Sequence, residues 1–439
     1  MAPPNTNEIG EAETEIEREF QIDADPIGSD PGSMYLILQE FASSSSSSNK
    51  DVTIHRVLEP LRILNPEAYT PTAISIGPFH SGRKDLKANK FKPMYLQQFL
   101  ELTSLGLSEI VDIVQNWEEK ARRCYAESME MSKEEFVKLL VLDACFVVMH
   151  LISWVYPNFE PKNKENLWQF RNEIYRDLLL LENQLPFFLL QSLYNLFVLS
   201  QPLLELSFIQ IVHRYYTDHN DREFFFIDIN RRQVDHFVDL LRMPKTREYS
   251  HEDFSDYLFW PPTATELHEC GVIFRTGNDI KFNDKRGCLQ LPKISIDDNF
   301  ENRVRNIIAY EQCHIDSELR NSVTNFTAFM QCLVKSNQDM KLLIEGGIIL
   351  NYLGGIKEVT QLFSNLGKHV CIGINYYGKD CKEMKTYCKH RRHRWMTSLR
   401  RNYFSTPWHC ASSIAAILLL ALTLIQTILA VVTGFKQTS

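Results

Sequence analysis

The sequence predicts a mainly α-helical protein, made of a large helical globular domain with a small antiparallel β meander, plus one C-terminal transmembrane helix. Three observations carry this prediction. From Lys90 onward apolar residues recur at helical spacing. Between Gly271 and Leu291 short apolar runs alternate with turn residues. Residues 411–434 then run for about 24 positions without a charge.

That last stretch, as a helix, is roughly 36 Å long against a hydrocarbon core of ~30 Å. The hydroxyls of Ser412, Ser413, Thr423, Thr427 and Thr433 can bond back to helix carbonyls. Gln426 is then the one side chain that is costly in lipid. Lys382, Lys385, Lys389, Arg391, Arg392, Arg394, Arg400 and Arg401 precede the helix, with Trp395, Tyr403, Phe404 and Trp408 among or after them. Only Lys436 is charged beyond it. The positive-inside bias therefore predicts a single-pass, tail-anchored protein whose globular part faces the cytosol. Residues 402–410 are the expected juxtamembrane segment and residues 435–439 a short tail across the membrane. Membrane lipid is thus an expected partner, and the basic run would attract anionic headgroups.

The composition fits a packed domain: 44% of the residues are hydrophobic and 11% aromatic. The net charge of -8 leaves no global basic surface, so nucleic acid is not an expected partner. Ten cysteines are scattered without tight pairs, and the acidic N-terminus does not read as a signal peptide. Free thiols in a reducing compartment are expected. Residues 1–50 read as a disordered tail. Glu11, Glu13, Glu15, Glu17 and Glu19 crowd its first part and residues 43–48 are all serine, a composition that buries too little apolar surface to offset ordering entropy.

The globular domain is expected over residues 51–401. Gly77-Pro78 forces a turn just before His80, which reads as a turn histidine satisfied by backbone rather than a catalytic base. Phe91, Tyr95, Leu96, Phe99, Leu100 and Leu102 mark one amphipathic helix; Ile110, Val111, Val114, Trp117, Ala121 and Tyr125 mark another. Residues 136–156 nearly meet the length of a membrane span, but Asp143 near their middle argues for a buried core helix.

Residues 177–188 are the most distinctive run. An apolar helix beginning at Asp177 meets Glu182, Asn183 and Gln184, and Pro186 breaks it. A buried polar trio left unsatisfied costs about 1–3 kcal/mol per group, so a hydrogen-bonded helix junction is expected. Asp143, Asp177, Glu182, Asn183, Gln184 and Glu311 are the candidate members of a structural polar network.

Farther on, residues 242–256 read as a charged loop, and Thr263 with Glu266 as a capping box. Residues 272–275, 279–282 and 288–291 are the expected meander strands. Helices resume at Asn299, and residues 340–353 read as one apolar element interrupted by Gly346-Gly347.

No phosphate loop, Gly-x-Ser-x-Gly elbow or kinase signature is present. Cys371, Cys381, Cys388, His390 and His393 are zinc-type donors without the paired spacing of structural sites. No catalytic, cofactor-binding or metal-binding residue is assigned, and no cofactor is expected. Asn325-Phe326-Thr327 is a glycosylation acceptor pattern, relevant only if this region is lumenal.

Several runs together resemble a plant family known as domain of unknown function family 247, also called uncharacterised protein family 0481. They are residues 75–80, 121–125, 142–146, 177–188, 264–267, 291–292 and 306–312, and the terminal helix fits too. Members commonly have Val-Pro where this chain has Val57-Leu58, and Asp-Gly-Cys-Phe where it has Asp143-Ala144-Cys145-Phe146. The resemblance implies a plant source, a mainly helical domain and membrane attachment. It implies no established enzyme activity and transfers no catalytic residue. Association of some members with self-recognition in grass pollination suggests protein interaction.

The expectation is therefore a membrane-anchored, non-catalytic protein acting in recognition or signalling, with an unknown protein partner. The alternative is an enzyme in which Asp143, Asp177, Glu182 and Glu311 meet as paired carboxylates in a cleft formed only by the fold. A third reading, an extracellular receptor domain, is opposed by the basic flank.

Overall fold

A computed structural model describes residues 52–161, 167–201, 204–219, 233–241, 259–314, 322–372, 375–389 and 407–437. The N-terminal tail of residues 1–50, the charged loop at 242–256, and most of the basic flank, including His390 and His393, lie outside the described residues.

The body is built on one long helix. Ser132 and Glu135 close a reciprocal capping box, with hydrogen bonds of 3.1 and 3.0 Å, before an almost continuous apolar run. The resulting helix spans Lys133–Val155 and ends where Pro157 forbids its continuation. Helices Lys92–Thr103, Leu107–Gln115, Phe187–Ser200 and Phe208–His219 pack around it. Numbered in chain order, Glu59–Leu64 is α1, Lys92–Thr103 is α2, Leu107–Gln115 is α3, Glu118–Arg123 is α4 and Lys133–Val155 is α5. Phe136, Leu140, Ala144, Phe146 and Ile152 of α5 are fully buried. Edge-to-face rings reinforce the packing, with Tyr95 against Phe146 at 5.0 Å. Among the described residues α5 is the helix long and apolar enough to cross a membrane, but it is the buried centre of the body.

Arg171–Asp177 forms α6 and Phe187–Ser200 forms α7, which begins just after Pro186. Phe208–His219 is α8, Phe237–Leu240 is α9 and Ala264–Glu269 is α10, capped as expected by Thr263 and Glu266.

The expected antiparallel meander is corrected to a three-stranded mixed sheet. The strands are β1 (Ile273–Thr276), β2 (Lys281–Asn283) and β3 (Cys288–Leu291), in the order β1-β3-β2. β2 and β3 form an antiparallel hairpin, while β1 runs parallel to β3 on its other side. The connection after β1 crosses the end of β3, where the Gly277 amide donates to the Leu291 carbonyl at 2.8 Å. A second sheet, unforeseen, pairs β4 (Ile294–Ile296) in parallel with β5 (Ile349–Asn351).

β5 arises because the apolar element expected at residues 340–353 is divided. The helix Asn337–Glu345 stops at Gly346-Gly347, and Gly347 takes φ +71°, a left-handed conformation that glycine adopts freely. With Phe300–Gln312 as α11, Ser322–Leu333 as α12 and Asn337–Glu345 as α13, the body closes with α14 (Ile356–Leu366) and α15 (Gly378–Lys389).

Residues 411–434 fall within α16, a helix of 31 residues spanning Pro407–Gln437. Its described apolar stretch, Ile414–Ile428, is by itself shorter than a bilayer-crossing segment. The fold class is thus mainly helical with small sheets.

Candidate functional site

Residues 72–77 form neither helix nor strand, yet most of the segment is buried. Their backbone amides must therefore find acceptors elsewhere. The Asp177 carboxylate, at the end of α6, accepts from the amides of Thr72 at 3.0 Å, Ala73 at 2.7 Å and Ile74 at 2.9 Å. The Asn89 carboxamide oxygen takes Ser75 at 3.0 Å, and that of Asn183 takes Ile76 at 2.6 Å. Asp143 of α5 takes Gly77 at 2.8 Å. Every amide from Thr72 to Gly77 is held by a side chain. The Asn183 amino group donates back to the carbonyls of Ile74 and Asp177, at 3.1 and 2.9 Å.

The junction before α7 is tied in the same manner. The apolar helix expected to run on from Asp177 does not form: α6 ends at Asp177, residues 178–186 are turns and irregular backbone, and α7 starts at Phe187. Gln184 donates to the carbonyls of Leu178 and Leu180, at 2.8 and 2.9 Å, and so satisfies acceptors of this irregular segment. Its oxygen accepts from the Phe237 amide at 3.0 Å. From α11, Asn306 accepts from the Leu181 amide and donates to the Ala68 carbonyl, both at 2.8 Å.

Glu182 faces a different set of groups. It accepts from the Val57 amide at 2.7 Å and pairs with the Arg62 guanidinium. Arg56 lies 3.6 Å and His80 3.4 Å from its other oxygen. Burial pushes its pKa up, but His80, the Val57 amide and Arg62 outweigh burial and hold the carboxylate below its ordinary range. His80 does sit in the expected turn, Pro78–His80, but its ring faces Glu182 rather than being satisfied by backbone.

Asp143 is balanced by Lys92, 2.5 Å away. Burial lifts the pKa of Asp143 above the ordinary value against the pull of Lys92, and burial lifts Asp177 against its three amides. Glu311 lies apart from these groups. It accepts from the amides of Val323 and Thr324, at 3.1 and 2.7 Å, at the start of α12, where a carboxylate also complements the helix dipole.

The structure therefore brings Asp143, Asp177 and Asn183 to one segment, places Glu182 and Gln184 at the adjoining junction, and sets Glu311 at a separate one. Sequence reasoning missed Asn89, Lys92, Arg56, Arg62 and Asn306. Lys92 was detectable, since it shares the spacing of the buried Tyr95 and Phe99 on α2. Asn306 lay inside a run that carried the family resemblance.

The acceptor pattern at Asn325 does not mark an accessible site. Asn325 is buried in α12 and accepts from the Tyr376 amide at 3.1 Å. Among the described residues, no group of three histidines, cysteines or acids converges as metal ligands.

Fold and site together define a mainly helical globular protein whose buried carboxylates and carboxamides hold its backbone in place. The family model described as a plant protein of unknown function, DUF247, matches residues 54–422, and the chain belongs to that family. It is 28% identical over 429 residues to the UPF0481 protein At3g47200 of Arabidopsis thaliana, covering 88% of this chain and 87% of that relative. It is 22% identical over 492 residues to the putative UPF0481 protein At3g02645 of the same plant, covering 88% and 91%. No solved structure matches the chain.

Proposed function

We propose that this is a membrane-anchored, non-catalytic protein acting in protein recognition or signalling, with its body on the cytosolic side. The observation that carries the reading is α16. Ile414, Ile417, Leu418, Leu419, Leu420, Leu422, Leu424, Ile425 and Ile428 are all exposed, and these positions step round the whole helix. So large an apolar surface is a liability in water and is removed by a bilayer. The Thr423 hydroxyl donates to the Leu419 carbonyl at 2.5 Å and that of Thr427 to the Thr423 carbonyl at 2.7 Å, so both are satisfied inside the helix, as lipid surroundings require. The basic residues preceding the helix favour a cytosolic body. Tethering would raise the effective concentration of the body for other membrane proteins.

The enzyme reading has less support. Asp143, Asp177, Glu182 and Glu311 are buried and already engaged by backbone amides or cations, rather than lining an open cleft.

The test uses the full chain on sealed microsomes. We expect external protease to digest the body, and α16 to stay in the pellet after an alkaline wash. L420R combined with L424R should release the chain from that pellet. Extraction of the unaltered chain by the wash overturns the anchor, and protection of the body reverses the orientation. Substrate turnover by the purified protein, lost in D143N or E182Q without unfolding, overturns the non-catalytic reading.

A further inference from the structure

Three histidines from three parts of the chain meet where residues 52–57 join the body. The His55 ring meets that of His314 edge-on at 4.8 Å, just beyond the end of α11. His314 packs on Tyr310 at 4.6 Å, and Tyr310 on His236 at 4.8 Å. The series then returns to its start, because His236 Nε2 lies 3.0 Å from the Thr53 carbonyl oxygen. Residues 53 and 55 are thus both held by one line of rings.

Backbone contacts set the protonation of two members. The Asp239 amide donates to His236 Nδ1 at 3.3 Å, so the proton of neutral His236 is on Nε2 and points to Thr53. His314 Nδ1 faces the Tyr310 carbonyl at 3.0 Å and is its donor. His55 Nε2 is buried and has no hydrogen-bond partner among the described residues.

We propose that His55, His236 and His314 form an acid-sensitive latch that fastens residues 52–57 to α9 and α11 and releases them when His55 gains a proton. A second proton on His236 would face the Asp239 amide hydrogen, and a charge on His55 would sit against two other imidazoles without an acceptor. The acids near the cluster each hold a hydrogen-bond donor. Asp235 accepts from the Tyr310 hydroxyl at 3.2 Å, Asp239 from the Asp235 amide at 3.1 Å, and Glu311 from the start of α12. Arg56, next in the chain, is directed to Glu127 and Glu182. Cys313 carries no charge to offset a cation, because burial raises its thiol pKa to about 11.

Burial first, then His314 and His236, push the pKa of His55 down to about 4. The folded value is below the ordinary one, so the latch is fully closed above about pH 6.5 and weakens as pH falls toward 4. Its release would withdraw the Val57 amide from Glu182 and uncover that carboxylate together with His80.

Hydrogen exchange on the full chain in detergent micelles, corrected for intrinsic rates, tests this. The reporters are the Ile54 amide, bonded to the Cys124 carbonyl, and the Val57 amide, bonded to Glu182. We expect their protection to fall about tenfold between pH 7.5 and 5.5, while that of α5 is unchanged. In H55L the fall should be less than twofold, and H55Q should behave alike if H55L does not fold. Unchanged protection in the unaltered chain, or an equal fall in both variants, overturns the latch. Glu182 is held below its ordinary range and so stays ionised across this window, which keeps its own titration out of the readout.

Discussion

Gly77 and Gln184 approach so closely that a side chain on Gly77 has no room. A Cβ there would lie 2.5 Å from the Gln184 carbonyl oxygen, and Gly77 takes φ +76°. The Tyr125 hydroxyl donates to the same carbonyl at 3.0 Å, so the oxygen is fixed from two sides. Gly77→Ala should therefore destabilise by about 3 kcal/mol or more, through backbone strain and collision together. Urea denaturation of the full chain in detergent would measure it, and a loss below about 1 kcal/mol would contradict the close approach.

Asp177 serves three consecutive amides. Asp177→Ala leaves them buried without acceptors and should cost about 3–5 kcal/mol. Asp177→Asn keeps one acceptor oxygen but turns an amino group toward amide hydrogens, so it should lie between the unaltered chain and the alanine variant. The two denaturation midpoints should fall in that order.

Lys92 balances the buried Asp143. Lys92→Met should cost about 3 kcal/mol at pH 7, because Asp143 is then an uncompensated buried charge. Burial already lifts Asp143, and without Lys92 it rises further, so protonation at pH 4 relieves part of the penalty. The melting-temperature difference from the unaltered protein should narrow from pH 7 to pH 4. A difference that stays the same would show that Lys92 acts by packing alone.

Glu182 has a folded pKa below its ordinary value, so its stabilisation is present above about pH 4.5 and lost as pH falls through the folded value. Asp143 and Asp177, lifted by burial, act in the opposite sense, since protonating them favours the folded state. Glu182→Gln should therefore be less stable than the unaltered protein at pH 7 and should lose less below pH 4.5. Thermal melts at pH 7, 5 and 3.5 would show this as a flatter acid limb.

Much of the helical layout was legible in the sequence. Apolar spacing located α2 and α5, but the single helix expected from Ile110 to Tyr125 is divided into α3 and α4, with Trp117 between them and Tyr125 bridged to Ile54. Asp143 marked α5 as a core helix rather than a span, since a carboxylate in an apolar helix needs a partner in the body. The mixed sheet was not legible. Alternation tells which face of a strand is buried, but not which edge it pairs with. The expected element at 340–353 likewise hid β5, because only the left-handed Gly347 shows where the helix stops. The Asn306 carboxamide reaches Leu181 across 125 positions of sequence, a pairing no local pattern encodes.

By itself the sequence determined the apolar periods, the polar trio before Pro186 and the long uncharged stretch of α16, because propensity and charge are properties of neighbouring residues; that α6 ends at Asp177, nine residues before Pro186, was decided by the fold. Only the tertiary structure decided which backbone each polar side chain would serve. Asp177 and Asn183 hold amides about a hundred positions earlier in the chain. A buried donor bonds to whichever acceptor the packing brings near, so the partner is set by the fold as a whole and not by spacing along the chain.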